Sequence, residues 1–549
     1  MGRTPVLDRG RNVSRRWTAL VAMLACTATA GAVIGATPSD ADTAGRAAAT
    51  AVPTAGPLDN HTVEVGPEER IFGPSGLTDF PFFSERTASG KLLGFISNND
   101  SYSVTSKRNN AKLVRPRVIL RRGRAGSFDK CGAWLIGSIH KRGSRWMALY
   151  HAEAAGRGDN NRCIYRDQST VSSVGRAVSH DSGRTWQKTG QVLTQDSDMT
   201  GPKSEDLAMG RLVQYGEFLY FFYAASDSNT NTTRGLHVAR SHVDDLGARG
   251  TWRKWHCYKP SVLADTQCDF GGTGNEGLGG NSNPMRNINP MARGIIPNSY
   301  LNRNVALHAS GSSGHRLYVS NGIASNPPLD GSDPTSGTTA WTSAEPIYPP
   351  VSNSSDRLVD NWDRTTRTKQ LYAYPSIVSV TGNSSTSGQV FYIYYVKLFP
   401  GGDFTDRYLM RRKVTITSGA GVNRVALTTY FRRSDGRRRT STERPMESAF
   451  KAAGGEGFLA GESVSGYSQV FECKKRKDYL LRAVACGGRE RPVRRVGWIS
   501  PDPDPATEAT VPIYRCFNRA KRNHFASDSR SCDGKGRREV RLGYGLPPA

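Results

Sequence analysis

The 549 residues carry 74 Lys and Arg against 48 Asp and Glu, a net charge of +26. A chain of this length folds as two or three domains with well-buried cores. Its basic residues are scattered and mostly Arg, with no basic helix or zinc-finger spacing, which excludes an organised nucleic-acid module. Beyond the N-terminal leader no apolar run is long enough to span a bilayer.

The N-terminus reads as an export signal over residues 1–36. Arg3, Arg9, Arg11, Arg15 and Arg16 precede the apolar run "WTALVAMLACTATAGAVIGA", and cleavage is expected near Ala36 or Ala41. A lipoprotein anchor at Cys26 is the less favoured reading. Residues 37–65, rich in Ala, Thr and Pro, read as a linker. The protein is expected to be secreted and monomeric. Cysteine usage agrees with export. Cys26 aside, eight remain, in the sequence-local pairs Cys131/Cys163, Cys257/Cys268, Cys473/Cys486 and Cys516/Cys532. Eight cysteines allow many connectivities, and none sits in a Cys/His cluster with zinc spacing, so no metal is predicted.

Residues 66–425 show short aromatic and β-branched runs between Gly, Asn and Ser turns, which predicts an all-β fold. Five runs recur: "KLLGFIS" from Lys91, "RWMALYHAE" from Arg145, "EFLYFFYAA" from Glu217, "NVALHAS" from Asn304 and "QVFYIYYVKLF" from Gln389. Each gap has room for one four-stranded sheet, so five blades of a β-propeller are predicted. Val-rich strands follow several of the runs. "GRAVSHDSGRTWQKTGQVL" from Gly175 has an echo in "GLHVARSHVDDLGARGTWRKW" from Gly235.

Within the first of these, Ser179, Asp181, Gly183, Thr185 and Trp186 match the pattern Ser-x-Asp-x-Gly-x-Thr-Trp. This resembles the Asp-box of sialidases and related propeller glycosidases. Asp181 is expected to accept backbone N–H groups, Gly183 to permit positive φ, and Trp186 to fill the space between blades. The resemblance implies a hairpin away from the substrate.

A glycosidase needs two carboxyl groups across the scissile bond. Acids precede the inner strands of three blades: Asp79 in "LTDFPFF", Asp129 in "FDKCGAW", and Glu205 and Asp206 in "KSEDLAMG". The last two blades offer Asn289-Pro290 and Tyr374-Pro375 instead. This distribution resembles the five-bladed arabinanase and levansucrase-type glycosidases, which implies Asp79 as base or nucleophile, Glu205 as proton donor, and Asp129 or Asp206 as a tuning group. Glu153 in "LYHAEAAG" competes, and His151 and His308 end strands read as inner ones, where they could line the pocket or ligate an axial cation. No organic cofactor is implied. "LVRPRVILR" matches the arginine motif of sialidases only loosely, through Arg115 or Arg117.

Residues 426–549 change pattern. Tyr430, Phe471 and Tyr514 lead three segments that close on Gly457-Phe458, Gly497-Trp498 and Gly543-Tyr544. Three copies of about forty residues are the signature of a β-trefoil, because one copy cannot bury its own core. "YRCFNRAKRNHFASD" resembles a repeat of bacterial secreted enzymes and trefoil-type glycan-binding modules. That resemblance implies carbohydrate binding by an aromatic platform beside hydrogen-bonding groups: Asn523, His524 and Phe525, with Asp478 and Tyr479. The region holds 25 Lys and Arg against 14 Asp and Glu. The sequence thus predicts a secreted polysaccharide hydrolase with a glycan-binding module, acting on glycan and not on nucleic acid. A non-catalytic lectin or adhesin is the alternative.

Overall fold

The computed structural model describes residues 58, 61–107, 112–155, 163, 170–196, 205–227, 235–258, 267–271, 277–285, 288, 293–310, 314–325, 327–329, 341, 345–346, 371–399, 401–402, 405–419, 421–445, 449–461 and 463–547. The expected export signal, Cys26 and most of the expected linker lie outside them. Among the described residues the fold is all-β. Helix is confined to two 3-10 turns, Val243–Asp245 and Cys532–Gly534, and no helix is long and apolar enough to cross a membrane.

Two strands open the described chain, β1 (His61–Val65) and β2 (Glu69–Phe72). Four antiparallel strands follow as the first sheet: β3 (Phe83–Arg86), β4 (Leu92–Asn98), β5 (Asp100–Lys107) and β6 (Lys112–Leu120). The second sheet holds β7 (Gly132–Leu135), β8 (His140–Arg142), β9 (Arg145–Ala155), β10 (Thr170–Ser179) and β11 (Gln187–Leu193), in the order β7-β9-β10-β11 with β8 also on β9. The third runs β12 (Glu205–Tyr215), β13 (Phe218–Asp227), β14 (Gly235–His242) and β15 (Arg253–Lys254), and is continuous with the second through a parallel Val171–Glu205 pair between β10 and β12.

A disulfide-closed ribbon, β16 (His256–Tyr258) on β17 (Gln267–Asp269), leads to the fourth sheet: β18 (Arg293–Asn298), β19 (Arg303–Ser310), β20 (Gly314–Ile323) and β21 (Glu345–Pro346). The fifth contains β22 (Leu371–Ser379), β23 (Val390–Leu398) and β24 (Tyr408–Ser418), and is completed by β1 from the other end of the chain, pairing Val63 with Ile416. The tail of the expected linker is therefore strand, not linker.

The sheets succeed one another around a centre. β4 lies on β7, and a Gly137–Arg211 bridge joins the second sheet to β12. β12 lies on β18, β18 on β22, and β22 on β3. The five apolar runs of the sequence are the second strands, β4, β9, β13, β19 and β23, and not the innermost ones. A second strand is covered on both faces by neighbouring sheets and so reads as a continuous apolar run. The first strands β12, β18, β22 and β3 touch in succession, and three of them carry bulges. Register shifts interrupt β12 between Ala208 and Arg211, β18 between Arg293 and Ile296, and β22 between Ala373 and Ser376.

The C-terminal part repeats a three-stranded unit: β25 (Arg424–Arg432), β26 (Arg437–Ser441) and β27 (Phe450–Ala460); β28 (Ser468–Lys475), β29 (Asp478–Arg482) and β30 (Arg491–Ile499); β31 (Val511–Asn518), β32 (Asn523–Ser527) and β33 (Arg537–Gly545). In each unit the first strand pairs with both others. The third strands meet cyclically through Ala460–Trp498, Ser500–Tyr544 and Phe458–Leu546. That close approach needs glycine. A Cβ on Gly543, whose φ is +152°, would lie 2.4 Å from the Ser500 carbonyl oxygen.

The two parts are not hung on a linker. β1 lies between β24 and β25, pairing in parallel with Arg424 and Val425. One apolar cluster includes Val63, Leu317 and Ile393 together with Leu459, Val470 and Ile513. Beside it Lys397 Nζ sits 2.9 Å from Glu68 Oε2 and 2.6 Å from Glu443 Oε2, all three side chains at most 2% exposed. Glu443 also pairs with Arg494, which reaches Glu472 at 3.1 Å, and Glu472 in turn holds Arg439. Burial on its own raises a carboxyl pKa, but Arg494, Lys397 and Arg412 hold Glu443 well below its ordinary value.

Candidate active site

Asp79 precedes β3 and is hooked to the end of β4 by its amide, which donates to the Ser97 carbonyl at 2.8 Å. Its carboxylate is gripped through one oxygen. The Tyr374 hydroxyl donates to Oδ1 at 3.0 Å, and the Arg407 guanidinium donates to the same atom. Arg407 is fixed by a second bond to the Gly76 carbonyl at 2.6 Å. Tyr374 reaches Asp79 because its backbone is left-handed, φ +54°, at the register shift of β22. A bulge of this kind re-aims a side chain. Burial, aided by the charge of Glu153, raises the Asp79 pKa; Arg407 and Tyr374 oppose the shift without cancelling it.

The charge of Glu153 contributes to the upward shift of Asp79, behind burial. Glu153 and His151 share a face of β9, since side chains two apart point the same way. His151 Nε2 lies 3.1 Å from Glu153 Oε1. Beneath them Phe80 stacks on His151 with ring centroids 5.7 Å apart, and Trp134 lies 5.2 Å from the same imidazole. Phe80 is also 6.5 Å from the Tyr374 ring. Glu153 is bonded to His151 and Asp79 to Tyr374, and the nearly buried Phe80 lies against both of those rings; Glu153 is the more open acid at 21% side-chain exposure, Asp79 at 10%. The Cys131–Cys163 disulfide anchors this corner, and the Cys131 amide donates to the Glu153 carbonyl at 2.9 Å.

Asp129 lies elsewhere. It accepts from Tyr150 at 3.1 Å, from Ser127 at 2.8 Å, and from Lys188 on β11. Tyr150 points from β9 opposite to His151 and Glu153. Asp129 therefore ties β9 to β11 and does not face Asp79. Glu205 and Asp206 open β12, where the Glu205 backbone pairs with Val171; their side chains, and that of His308, lie outside the described residues, as do Asn289-Pro290. β9 and β19 are second strands, which corrects the inner-strand position expected for His151, Glu153 and His308. Arg115 and Arg117 are exposed on β6, the strand of the first sheet farthest from β3, so the sialidase-like role expected of them has no place in this cluster. Sequence reasoning missed Phe80, Trp134 and Arg407: a single Arg before a strand gives no signal among so many scattered cations.

Ser179 to Trp186 form the β10–β11 turn. Asp181 accepts from the amides of Arg184 and Thr185 at 3.0 and 2.9 Å and from the Thr185 hydroxyl at 2.6 Å. Ser179 closes the loop by accepting from the Gly183 amide at 2.8 Å. Gly183 has φ +83°, and a Cβ there would lie 2.6 Å from the Trp146 ring. Trp186 is only half-buried and donates to the Gly183 carbonyl at 3.2 Å, so Trp146, not Trp186, fills the interior. The same connection of the third sheet repeats the device: Ser241 bonds Thr251 at 2.7 Å, and the buried Trp252 donates to the Gly247 carbonyl at 2.9 Å. Because Ser179 pairs with Trp146 and Ser172 with Glu153, the turn lies about 23 Å along β9 from the acids.

In the C-terminal part Phe525 is buried against Cys516 and Cys532, and so is no open platform. His524 is pinned between Asp478 at 2.5 Å and Glu539 at 3.0 Å. Tyr479 is covered by Arg439, 3.7 Å above its ring. Asn523 is buried and donates to the Arg438 carbonyl at 2.5 Å. The four disulfides join the expected cysteines: Cys131–Cys163, Cys257–Cys268, Cys473–Cys486 and Cys516–Cys532. Such bonds fit an oxidising, extracellular setting. Among the described residues no group of three or more His, Cys, Asp or Glu is placed to hold a metal ion.

No protein-family model matches the chain, and no curated protein matches it. Among solved structures it is similar to an alpha-L-arabinofuranosidase from Lactobacillus brevis, at 13% identity and a TM-score of 0.36, covering 66% of this chain and 93% of that one. It is similar to a family 117 glycoside hydrolase from Zobellia galactanivorans at 10% identity and a TM-score of 0.37, covering 65% and 91%. An alpha-L-arabinanase mutant from Cellvibrio cellulosa aligns at 13% identity and a TM-score of 0.32, covering 66% and 94%. Likenesses of this strength define neither a fold nor an activity.

Proposed function

We propose that the chain is a secreted glycoside hydrolase, built as a five-bladed β-propeller joined to a β-trefoil, that cleaves a polysaccharide with Asp79 and Glu153 as its paired carboxyl groups. The ring order of the five sheets and the closure of the last by β1 support the propeller. The cyclic meeting of β27, β30 and β33 supports the trefoil. The observation that carries the activity is that Asp79 and Glu153 are each bonded to a ring packed on Phe80, with the charge of Glu153 contributing to the raised pKa of Asp79.

The chemistry follows from how each acid is held. Two donors on Oδ1 favour the ionised form of Asp79, and Oδ2 carries no hydrogen bond among the described residues. Burial makes that carboxylate more basic than an exposed one. It suits a base on water or a nucleophile on the anomeric carbon, which leaves Glu153, the other acid of the proposed pair, as proton donor to the leaving oxygen. Glu205, the donor expected from the sequence, is the control arm of the test. Reducing-sugar release should be measured across plant, fungal and bacterial wall polysaccharides. One polymer is expected to be cut, with a loss of roughly 10²–10⁴-fold in Asp79→Asn. Release unaffected by that substitution would remove Asp79 from the mechanism. A binding-only protein is the second reading, favoured by the Arg407 ion pair that already satisfies part of Asp79; it predicts no release from any polymer that the protein retains.

A further inference from the structure

A cavity of about 380 Å3 opens in the C-terminal part, where the β25–β26 turn, the β28–β29 turn and the start of β32 converge. It lies among the three units and apart from Asp79. Of its twelve lining residues seven are Arg or Lys and two are acidic. Both acids are already engaged. Asp435 accepts from Arg432 at 2.9 Å and lies 3.3 Å from Arg437, and Asp478 is held by His524.

The cations divide into held and open ones. Arg439 is fixed by Glu472 at the end of the buried ion chain and by Tyr479 beneath it. Arg438, Lys474, Arg476 and Lys477 line the same wall and form no ion pair with the described residues; Arg438 lies 5.2 Å from the Phe431 ring and Lys474 5.2 Å from the Tyr479 ring, contacts that leave their charges unneutralised. Arg476 takes φ +56° at the tip of the β28–β29 turn, so the turn places three consecutive side chains, Arg476, Lys477 and Asp478, at the rim. Like charges gathered in a concave site repel one another and raise the local concentration of anions. The stacking platform that a neutral sugar would use is missing, because Arg439 covers Tyr479 and Phe450 is buried beneath Arg432.

We infer that this cavity is a binding site for an anionic sugar unit, one bearing a carboxylate or a sulfate, recognised by Arg438, Lys474 and Lys477. The volume falls in the range of small-molecule sites, about 300–1,000 Å3, and takes a sugar unit or two rather than the face of a nucleic-acid duplex. Guanidinium forks suit planar or tetrahedral oxyanions. The inference deepens the proposed function and rests on it only for the ligand's being a glycan.

The test uses the full chain carrying Asp79→Asn, so that binding is read without cleavage and stands or falls apart from the catalytic proposal. Calorimetric titration with polygalacturonate, chondroitin sulfate, neutral dextran and duplex DNA is compared with the same titrations of Arg438→Gln/Lys474→Gln/Lys477→Gln. An acidic polysaccharide is expected to bind, with affinity falling as salt rises and falling roughly tenfold for each cation replaced by Gln. Polygalacturonate carries carboxylates alone and chondroitin sulfate carries both groups, so binding of the second without the first marks the sulfate as the group recognised. The charge-keeping Lys474→Arg/Lys477→Arg variant, with an unchanged melting temperature, is expected to bind as the parent does. Dextran binding as tightly as the acidic polymers would overturn the inference. So would a triple variant that folds and binds acidic polymers unchanged, or duplex DNA binding tightest.

Discussion

Asp79 is held through one oxygen, and its titration is set by neighbours that pull in opposite directions. Burial and Glu153 push its pKa up; Arg407 and Tyr374 pull it down, and the net is upward. The acid limb of kcat/KM, which reports the free enzyme's base, is therefore expected above the ordinary carboxylate value of about 4. Arg407→Met removes the main lowering influence, so the limb should move to still higher pH. A pH profile of the variant checks this, and a limb that stays in place would detach Arg407 from the base. Asp79 and Glu153 were legible in the sequence as acids at strand ends. Their company was not: Arg407 lies 328 positions away, and the bulge that aims Tyr374 is a backbone feature that no residue pattern announces. Asp129 shows the converse. An acid before a strand looks the same whether it faces a substrate or, as here, clamps Tyr150 and Lys188.

The β10–β11 hairpin was the most legible element, because its geometry is written in side chains that bond their own loop. Asp181 shows how its stability is tied to pH. Burial raises its carboxyl, but the hydroxyl and amide of Thr185, the Ser179 hydroxyl and the Arg184 amide outweigh this and hold it below the usual range. A carboxyl depressed on folding lends stability that is complete above its unfolded value and lost as pH falls through the folded one. Asp181→Asn should thus melt lower than the parent at pH 7, with the gap closing below about pH 4. A gap independent of pH would show that the charge is not what the loop uses. Strand order within the sheets was less legible. Burial of both faces makes the second strand of each sheet the most apolar, so hydrophobicity marks the wrong strand as central. The innermost strands hide behind Gly, Ser and Pro.

At the scale of the whole molecule, composition separated the two repeat patterns but not their union. The sequence suggests two modules in tandem, whereas β1 is shared between β24 and β25, and Lys397 is buried between Glu68 and Glu443. A chain stopped after residue 425 would leave Lys397 and Glu68 without Glu443 and bare the apolar cluster around Val63 and Val425. Removing one partner of a buried ion pair costs about 3–5 kcal/mol, much of the 5–15 kcal/mol that holds an ordinary domain together. The truncated protein is expected to be insoluble or to lack a cooperative melt. A soluble, cooperatively melting truncation would restore the picture of separable modules. The union was illegible because ion pairs and strand pairing between residues hundreds apart leave no local trace.

The central claim, that Asp79 and Glu153 work as a pair, is tested most directly by comparing two substrates of one sugar: the polysaccharide that the protein cuts and an aryl glycoside whose leaving group needs no proton. Glu153→Gln should lose roughly 10²–10⁴-fold on the polysaccharide and stay near the parent on the aryl glycoside, while Asp79→Asn should lose both. A Glu153→Gln enzyme that cuts the polysaccharide as the parent does, with Glu205→Gln taking its place in the pattern, would contradict the account.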